Sequence, residues 1–341
     1  MLSSMKRVPF VLLFIAAACA PAATQASPTP PTSASPTPAA TTAATATATS
    51  APTASPTAIP LPSGATIAAA SGGVVWMYLN GDHLFMSLNR GDTWSPAALP
   101  PDPRGPSLAF ISAGEGWWLS PGSPGTQCSF QDVVIWKTDD GAKTWRKLNA
   151  TGIDRTLCKD SIQFSGPGVG FITTSAANNT PVIYRTSDGG VSWSASYPLA
   201  SPPGYPSSGL GANLQVGNIA DFGSVLYADV FGTGQGTLKH YVYRSTDRGA
   251  TWAYDSPTLL SPAIVFVTPT RWIQIQPQDS RETTDRGGTW HLYPTDYSQA
   301  APIAPQIVFG DASTGYATVR GSIQRTTDGG AHWTVIKTPG T

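Results

Sequence analysis

From about residue 65 onward the apolar positions come in short runs, each closed by Gly, Pro, Asp, Asn or Ser. Ala109-Phe-Ile, Ile162-Gln-Phe, Ile264-Val-Phe and Ile307-Val-Phe are examples. Runs this short, carrying β-branched and aromatic residues between turn formers, predict strands and not helices. Aromatic spacing ties the runs in pairs. Phe110 precedes Trp117 by seven residues, Phe164 precedes Phe171 by seven, Phe309 precedes Tyr316 by seven, and Phe266 and Trp272 are six apart. After a polar turn the second strand, such as Gly315-Tyr-Ala-Thr-Val319, leads to a third, Val133 to Lys137 or Val182 to Arg185. A fourth leaves after a Trp. The pattern predicts units of four antiparallel strands.

One turn is written six times between the third and fourth strands. The copies are Ser87-Leu-Asn-Arg-Gly-Asp-Thr-Trp94, Thr138-Asp-Asp-Gly-Ala-Lys-Thr-Trp145 and Thr186-Ser-Asp-Gly-Gly-Val-Ser-Trp193. They continue as Ser245-Thr-Asp-Arg-Gly-Ala-Thr-Trp252, Thr283-Thr-Asp-Arg-Gly-Gly-Thr-Trp290 and Thr326-Thr-Asp-Gly-Gly-Ala-His-Trp333. The tryptophans lie 51, 48, 59, 38 and 43 residues apart, a period that signals a propeller or solenoid array. The acidic or amide residue (Asn89, Asp140, Asp188, Asp247, Asp285, Asp328) can accept N–H bonds from the turn that follows it. The glycine permits positive φ, and Trp94, Trp145, Trp193, Trp252, Trp290 and Trp333 can pack between neighbouring sheets. Their role is structural.

These residues resemble the Asp-box, or BNR, repeat of bacterial sialidases, sortilin-type receptors and the photosystem II stability/assembly factor family. The aromatic phrase is most similar to the last of these. The fold expected is a six-bladed β-propeller of four-stranded antiparallel blades, a seven-bladed ring with one degenerate blade being the alternative. No blade is split between the chain ends, so ring closure should rest on side-chain packing between the first and last blades. The resemblance covers residues 65–341 and specifies fold far better than function.

Composition narrows the functional classes. Lys+Arg 20 and Asp+Glu 20 cancel, and 12% of the chain is charged, unlike the clustered cations of a nucleic-acid binder. Gly 34 and Pro 32 are high, and the glutamates are Glu115 and Glu282, unlike the composition of long amphipathic helices.

The first 64 residues are not read as fold. Lys6 and Arg7 precede the apolar stretch Val8 to Ala18, the layout of a signal peptide over residues 1–18. Ala16-Ala17-Ala18-Cys19 resembles a bacterial lipobox with Ala16 in the usual Leu position, which implies lipidation of Cys19 and a lipoprotein on the outer face of the membrane. Plain secretion, with cleavage near Ala18 or Ala26, is the alternative. Residues 20–62 are Ala, Pro, Thr or Ser except Gln25, Ile59 and Leu61. Such a segment buries too little apolar surface to offset folding entropy, so residues 19–64 are read as a lipidated N-terminus and disordered linker. Removing Lys6 and Arg7 leaves 18 positive against 20 negative residues, so membrane attachment would come from the lipid.

In a four-stranded blade the boxes and the 1–2 turns share one face, and the 2–3 and 4–1 loops share the other. The free face should be raised over blades two to four, where the 2–3 loops Ser120–Gln131, Ser175–Pro181 and Phe231–His240 are long. Those of blades one, five and six, Asn80–Asp82, Gln276–Ser280 and Arg320–Ser322, are short. Cys128 and Cys158 fall together on the free face, and export predicts a disulfide between them. Arg155, Lys159, Tyr205, Lys239 and His240 lie on the raised rim and are the candidate ligand contacts.

Sialidase chemistry, as the resemblance implies it, needs three substrate-binding arginines, a Tyr–Glu pair and an Asp. The first arginine should precede the first box, yet none occurs between Arg7 and Arg90. Asp102, Asp154, Asp160 and Asp296 on free-face loops could supply the paired carboxylates of another glycosidase. His83, His240, His291 and His332 lack paired ligand spacing, so no metal is expected, and no cofactor. The expected function is a monomeric binding or assembly module, not an enzyme, for a protein, peptide or glycan on the face opposite the boxes. An extracellular glycoside hydrolase with a non-standard site is the alternative.

Overall fold

The structure, a computed structural model, describes residues 64–339 except 80, 106, 176–179, 206–213, 235–236, 261–262, 277–278, 298–304 and 320–321. The leader, Cys19 and the linker up to residue 63 lie outside the described residues. Blade one holds β1 (Ala65–Ala69), β2 (Val75–Leu79), β3 (His83–Ser87) and β4 (Ser95–Ala97). Blade two holds β5 (Ser107–Phe110), β6 (Gly116–Pro121), β7 (Val133–Thr138) and β8 (Arg146–Lys147). Blade three holds β9 (Cys158–Phe164), β10 (Gly170–Ser175), β11 (Ile183–Thr186) and β12 (Ser194–Ala195). Blade four holds β13 (Leu214–Asp221), β14 (Leu226–Gly234), β15 (Thr237–Ser245) and β16 (Ala253–Leu260). Blade five holds β17 (Val265–Phe266), β18 (Trp272–Gln274), β19 (Arg281–Thr283) and β20 (His291–Leu292). The last holds β21 (Gln306–Phe309), β22 (Gly315–Val319), β23 (Ser322–Thr326) and β24 (Thr334–Val335).

Each set is an antiparallel meander in chain order, and six such meanders are present among the described residues. One backbone pair, Ser175 with Gln215, links the third to the fourth. Helix among the described residues is limited to two 3-10 turns, Ser71–Gly73 and Thr126–Cys128.

The aromatic spacing is a packing code. Phe110, Phe164 and Phe309 pair across the strands with Gly116, Gly170 and Gly315. A Cβ at Gly116 would stand 2.2 Å from the Phe110 ring, so the glycine leaves room for the ring to lie across it. The opposite ring face meets the previous blade. Trp76 stacks on Phe110 at 3.9 Å, and Trp117 on Phe164 at 3.6 Å. The second strands are walled by neighbours on both sides, and Val75–Leu79 of the first blade is apolar and buried at every position.

Backbone bonds lace the blades together outside the sheets. The segment after a fourth strand donates to the next box: Ala98 to Ala142, Thr151 to Val191, Tyr197 to Ala250 and Asp296 to Ala331. The ring closes through side chains. Trp94 Nε1 donates to the Lys337 carbonyl at 3.0 Å, Arg325 meets Asp92 at 2.6 Å, and Ile67 and Met77 share a core cluster with Tyr316 and Ile336.

Candidate binding face and central cavity

The boxes do occupy one face. Arg90, Gly141, Gly189, Arg286 and Gly329 each donate a backbone N–H to the 1–2 turn of their own blade. The third box shows the design. Thr186 Oγ1 donates to Asp188 at 2.8 Å and accepts the Gly190 N–H at 3.0 Å. Asp188 also accepts the N–H groups of Val191 and Ser192 and the Ser192 hydroxyl. Asn89 does the same work in the first box by accepting the Thr93 N–H and donating to its hydroxyl.

The Ser192 hydroxyl and N–H hold Asp188 down at about 2, and Thr144, Thr251 and Thr289 do the same for Asp140, Asp247 and Asp285. At Asp328 burial works against the shift, and the His332 N–H and ring outweigh it, again giving about 2. Every box carboxylate is therefore committed to its own turn. Asp188→Ala should cost about 1 kcal/mol at neutral pH, as for a lost cap. The depressed carboxyl contributes fully above the ordinary 3.8 and loses its contribution as pH falls through about 2. Urea titrations should show the gap between wild type and variant closing over that interval.

In blades two and four the free face is built up where long loops are expected, in two different ways, while residues 176–179 of the blade-three loop lie outside the described residues. In blade two the connection from residue 122 to 132 carries the turn Thr126–Cys128, and Cys128 is bonded to Cys158, with Cα atoms 5.1 Å apart. Cys158 is the first residue of β9, not part of a loop. In blade four the expected loop Phe231–His240 is instead a tall hairpin. Phe231 pairs with His240 and Gly234 with Thr237, and β16 rises alongside to pair Leu260 with Lys239.

The rim candidates separate into exposed and inward-turned groups. Arg155 is exposed, grips Asp132 with Nε and Nη2 at 2.6 and 2.7 Å, and covers the half-exposed Phe130 ring. Lys239 is half-buried in the hairpin. Lys159, Tyr205 and His240 are 2%, 7% and 4% exposed, which corrects their expected place on the rim. Lys159 turns into a set of backbone carbonyls, and Tyr205 packs edge-on against Tyr241. His240 Nδ1 meets both oxygens of Asp229, at 2.8 and 2.9 Å. Burial pushes the Asp229 carboxyl up, opposed by His240 and the Ile264 N–H, so this pair ties the hairpin to blade five.

The other carboxylates are placed as follows. Asp102 holds Arg104, and Asp154 accepts from Thr156. Asp296 lies against a box, where it accepts the Trp333 N–H at 2.7 Å, and not on the free face. Glu115 pairs with Lys137 and Glu282 with Arg271.

First strands of all six blades line a central cavity of about 890 Å³. Its wall carries Asp160, Asp221, Asp229 and Asp311, with no Lys, Arg or His among the described lining residues. Asp221 is held by Ser165 and Gly223, and Asp311 by its own turn. Asp160 stands near the start of β9, at the free-face end, where Ser175 Oγ donates to it at 2.8 Å. Surrounding protein pushes its carboxyl up from 3.8, and the Ser175 hydroxyl opposes this. Among the described residues no cluster of three or more His, Cys, Asp or Glu is arranged to hold a metal.

Repeat, strand order and box geometry together define an Asp-box β-propeller. No family model matches the chain. A xyloglucanase from Paenibacillus sp. is 28% identical over 195 residues, which are 56% of this chain and 17% of that much longer protein. Among solved structures, YCF48 bound to D1 peptide is similar over 79% of this chain and 95% of its own, at 19% identity and a TM-score of 0.44. The Hadza microbial sialidase Hz136 matches over 80% of this chain and 65% of its own, at 12% identity and a TM-score of 0.51. At these identities the likeness to solved structures is one of fold.

Proposed function

We propose that this chain is an exported, lipid-anchored propeller that binds a protein, peptide or glycan at the mouth of its central cavity. The observation that carries the reading is the cavity wall, which has four aspartates and no cationic side chain among its described residues. Such a wall favours a partner bringing hydroxyls or positive charge, and it opposes an anionic sugar, whose carboxylate needs Arg or Lys. The built-up loops of blades two and four supply contact area beside the mouth.

The full chain should be captured on arrays of neutral glycans or basic peptides, and Asp160→Lys should weaken that capture by about tenfold or more. Capture only by anionic glycans would overturn the reading. Anchoring is tested separately: Cys19→Ala should move the protein from the membrane fraction to the medium.

Glycoside hydrolysis is the second reading. It is favoured by the partial likeness to a xyloglucanase, with Asp160, whose carboxyl the surrounding protein pushes up, as the candidate acid. Release of reducing ends from xyloglucan, abolished in Asp160→Asn, would establish it.

A further inference from the structure

The ammonium of Lys159 sits in a nest of backbone oxygens. Nζ donates to the carbonyls of Asp154, Thr156 and Leu157 at 2.7, 2.6 and 3.0 Å, with the Gln131 carbonyl at 3.5 Å. An ammonium has three N–H donors, and three close carbonyls saturate it. The same residue's backbone N–H donates to Gln131 Oε1 at 2.7 Å, Gln131 Nε2 donates to the Gly122 carbonyl, and the Gln131 N–H donates to the Arg155 carbonyl. The blade-two loop and the segment from 154 to 158 are thus tied to each other around this one charge. Gln127, Cys128 and Leu157 hold left-handed backbones, with φ of 54°, 58° and 63°. Non-glycine residues adopt that region at a cost and stay there only when their surroundings hold them.

Three carbonyls converging on an empty space would be orphaned acceptors that repel one another. Oxygen atoms gathered in this way are the ligand type that hard cations take. We propose that Lys159 is a resident cation, a positioning residue whose ammonium stands where a dissolved ion would otherwise be needed. It fixes the free-face wall of blades two and three and makes that wall independent of metal. The nest is made of neutral carbonyls without a carboxylate, which suits a single charge and not a divalent ion. Arg155 and Phe130 are carried by this wall, whatever partner they meet.

The test uses the full chain and two variants, Lys159→Ala and Lys159→Met. The wild type should melt at one temperature with or without a chelator. Lys159→Ala should melt about 5 °C lower, and amides from 122 to 131 and 154 to 158 should lose protection from hydrogen exchange. Ammonium or potassium chloride should restore part of both losses, and tetramethylammonium chloride at equal ionic strength should not, because it cannot enter the nest. Lys159→Met should stay low in every salt. A methionine variant as stable and protected as the wild type would overturn the proposal, as would an equal response of Lys159→Ala to all three salts. If neither variant folds, the native protein decides through amine acylation read by mass spectrometry. Exposed Lys143 and Lys147 should react while Lys159 resists, and labelling of Lys159 at their rate would sink the idea.

Discussion

Trp117→Ala should lower the unfolding free energy by about 3–5 kcal/mol, the range for removing a buried large aromatic. Trp117 is wholly buried in β6, stacks on Phe164 of the next blade with planes 3° apart, and donates Nε1 to the Gly189 carbonyl of the third box at 2.9 Å. Lys137 lies over its ring, 4.9 Å from the centroid. Alanine would therefore open a void between two blades, unstack Phe164 and leave the Gly189 oxygen without its partner. Urea unfolding should show a lower midpoint at an unchanged slope. Trp117→Phe, which keeps a ring to stack, should lose clearly less. Equal losses for the two variants would mean that the Nε1 bond to Gly189, and not inter-blade stacking, sets the cost.

The Cys128–Cys158 bond gives the second large effect. It closes a sequence separation of 30 residues, so its removal should cost about 2–4 kcal/mol. The double change Cys128→Ser with Cys158→Ser, or reduction of the wild type, should lower the denaturation midpoint by the same amount. Near-UV circular dichroism should stay close to native, because the stack of Trp117 on Phe164 lies at the opposite end of β9 from Cys158. A midpoint indifferent to reductant would show that the bond does not constrain the unfolded chain.

The repeating parts of this molecule were legible because their bonds are local. A Thr, an Asp two residues on and a Gly two further specify a self-contained turn, as Thr186, Asp188 and Gly190 demonstrate. The Phe and aromatic pairs were equally readable, since cross-strand register follows from spacing. What could not be read depends on distant partners. Phe231 to His240 contains Gly-Thr-Gly-Gln-Gly-Thr, which looks like a loop, yet its two flanks pair with each other and the second also with β16. Blade topology alone puts Lys159 on the rim. A register shift in the pairing of β9 with β10 near Lys159 breaks simple alternation, and Cys158 and Lys159 are both buried. The acidic cavity was invisible for a plainer reason: its four aspartates come from three different blades.

The direction in which the polypeptide enters the ring has a consequence for orientation. Gly64 leads into β1, whose far end turns toward the box side through Gly73, so the domain begins on the side of the cavity mouth. A partner seated at that mouth would sit on the same side of the ring as Gly64, so the start of β1 and the binding site share one face.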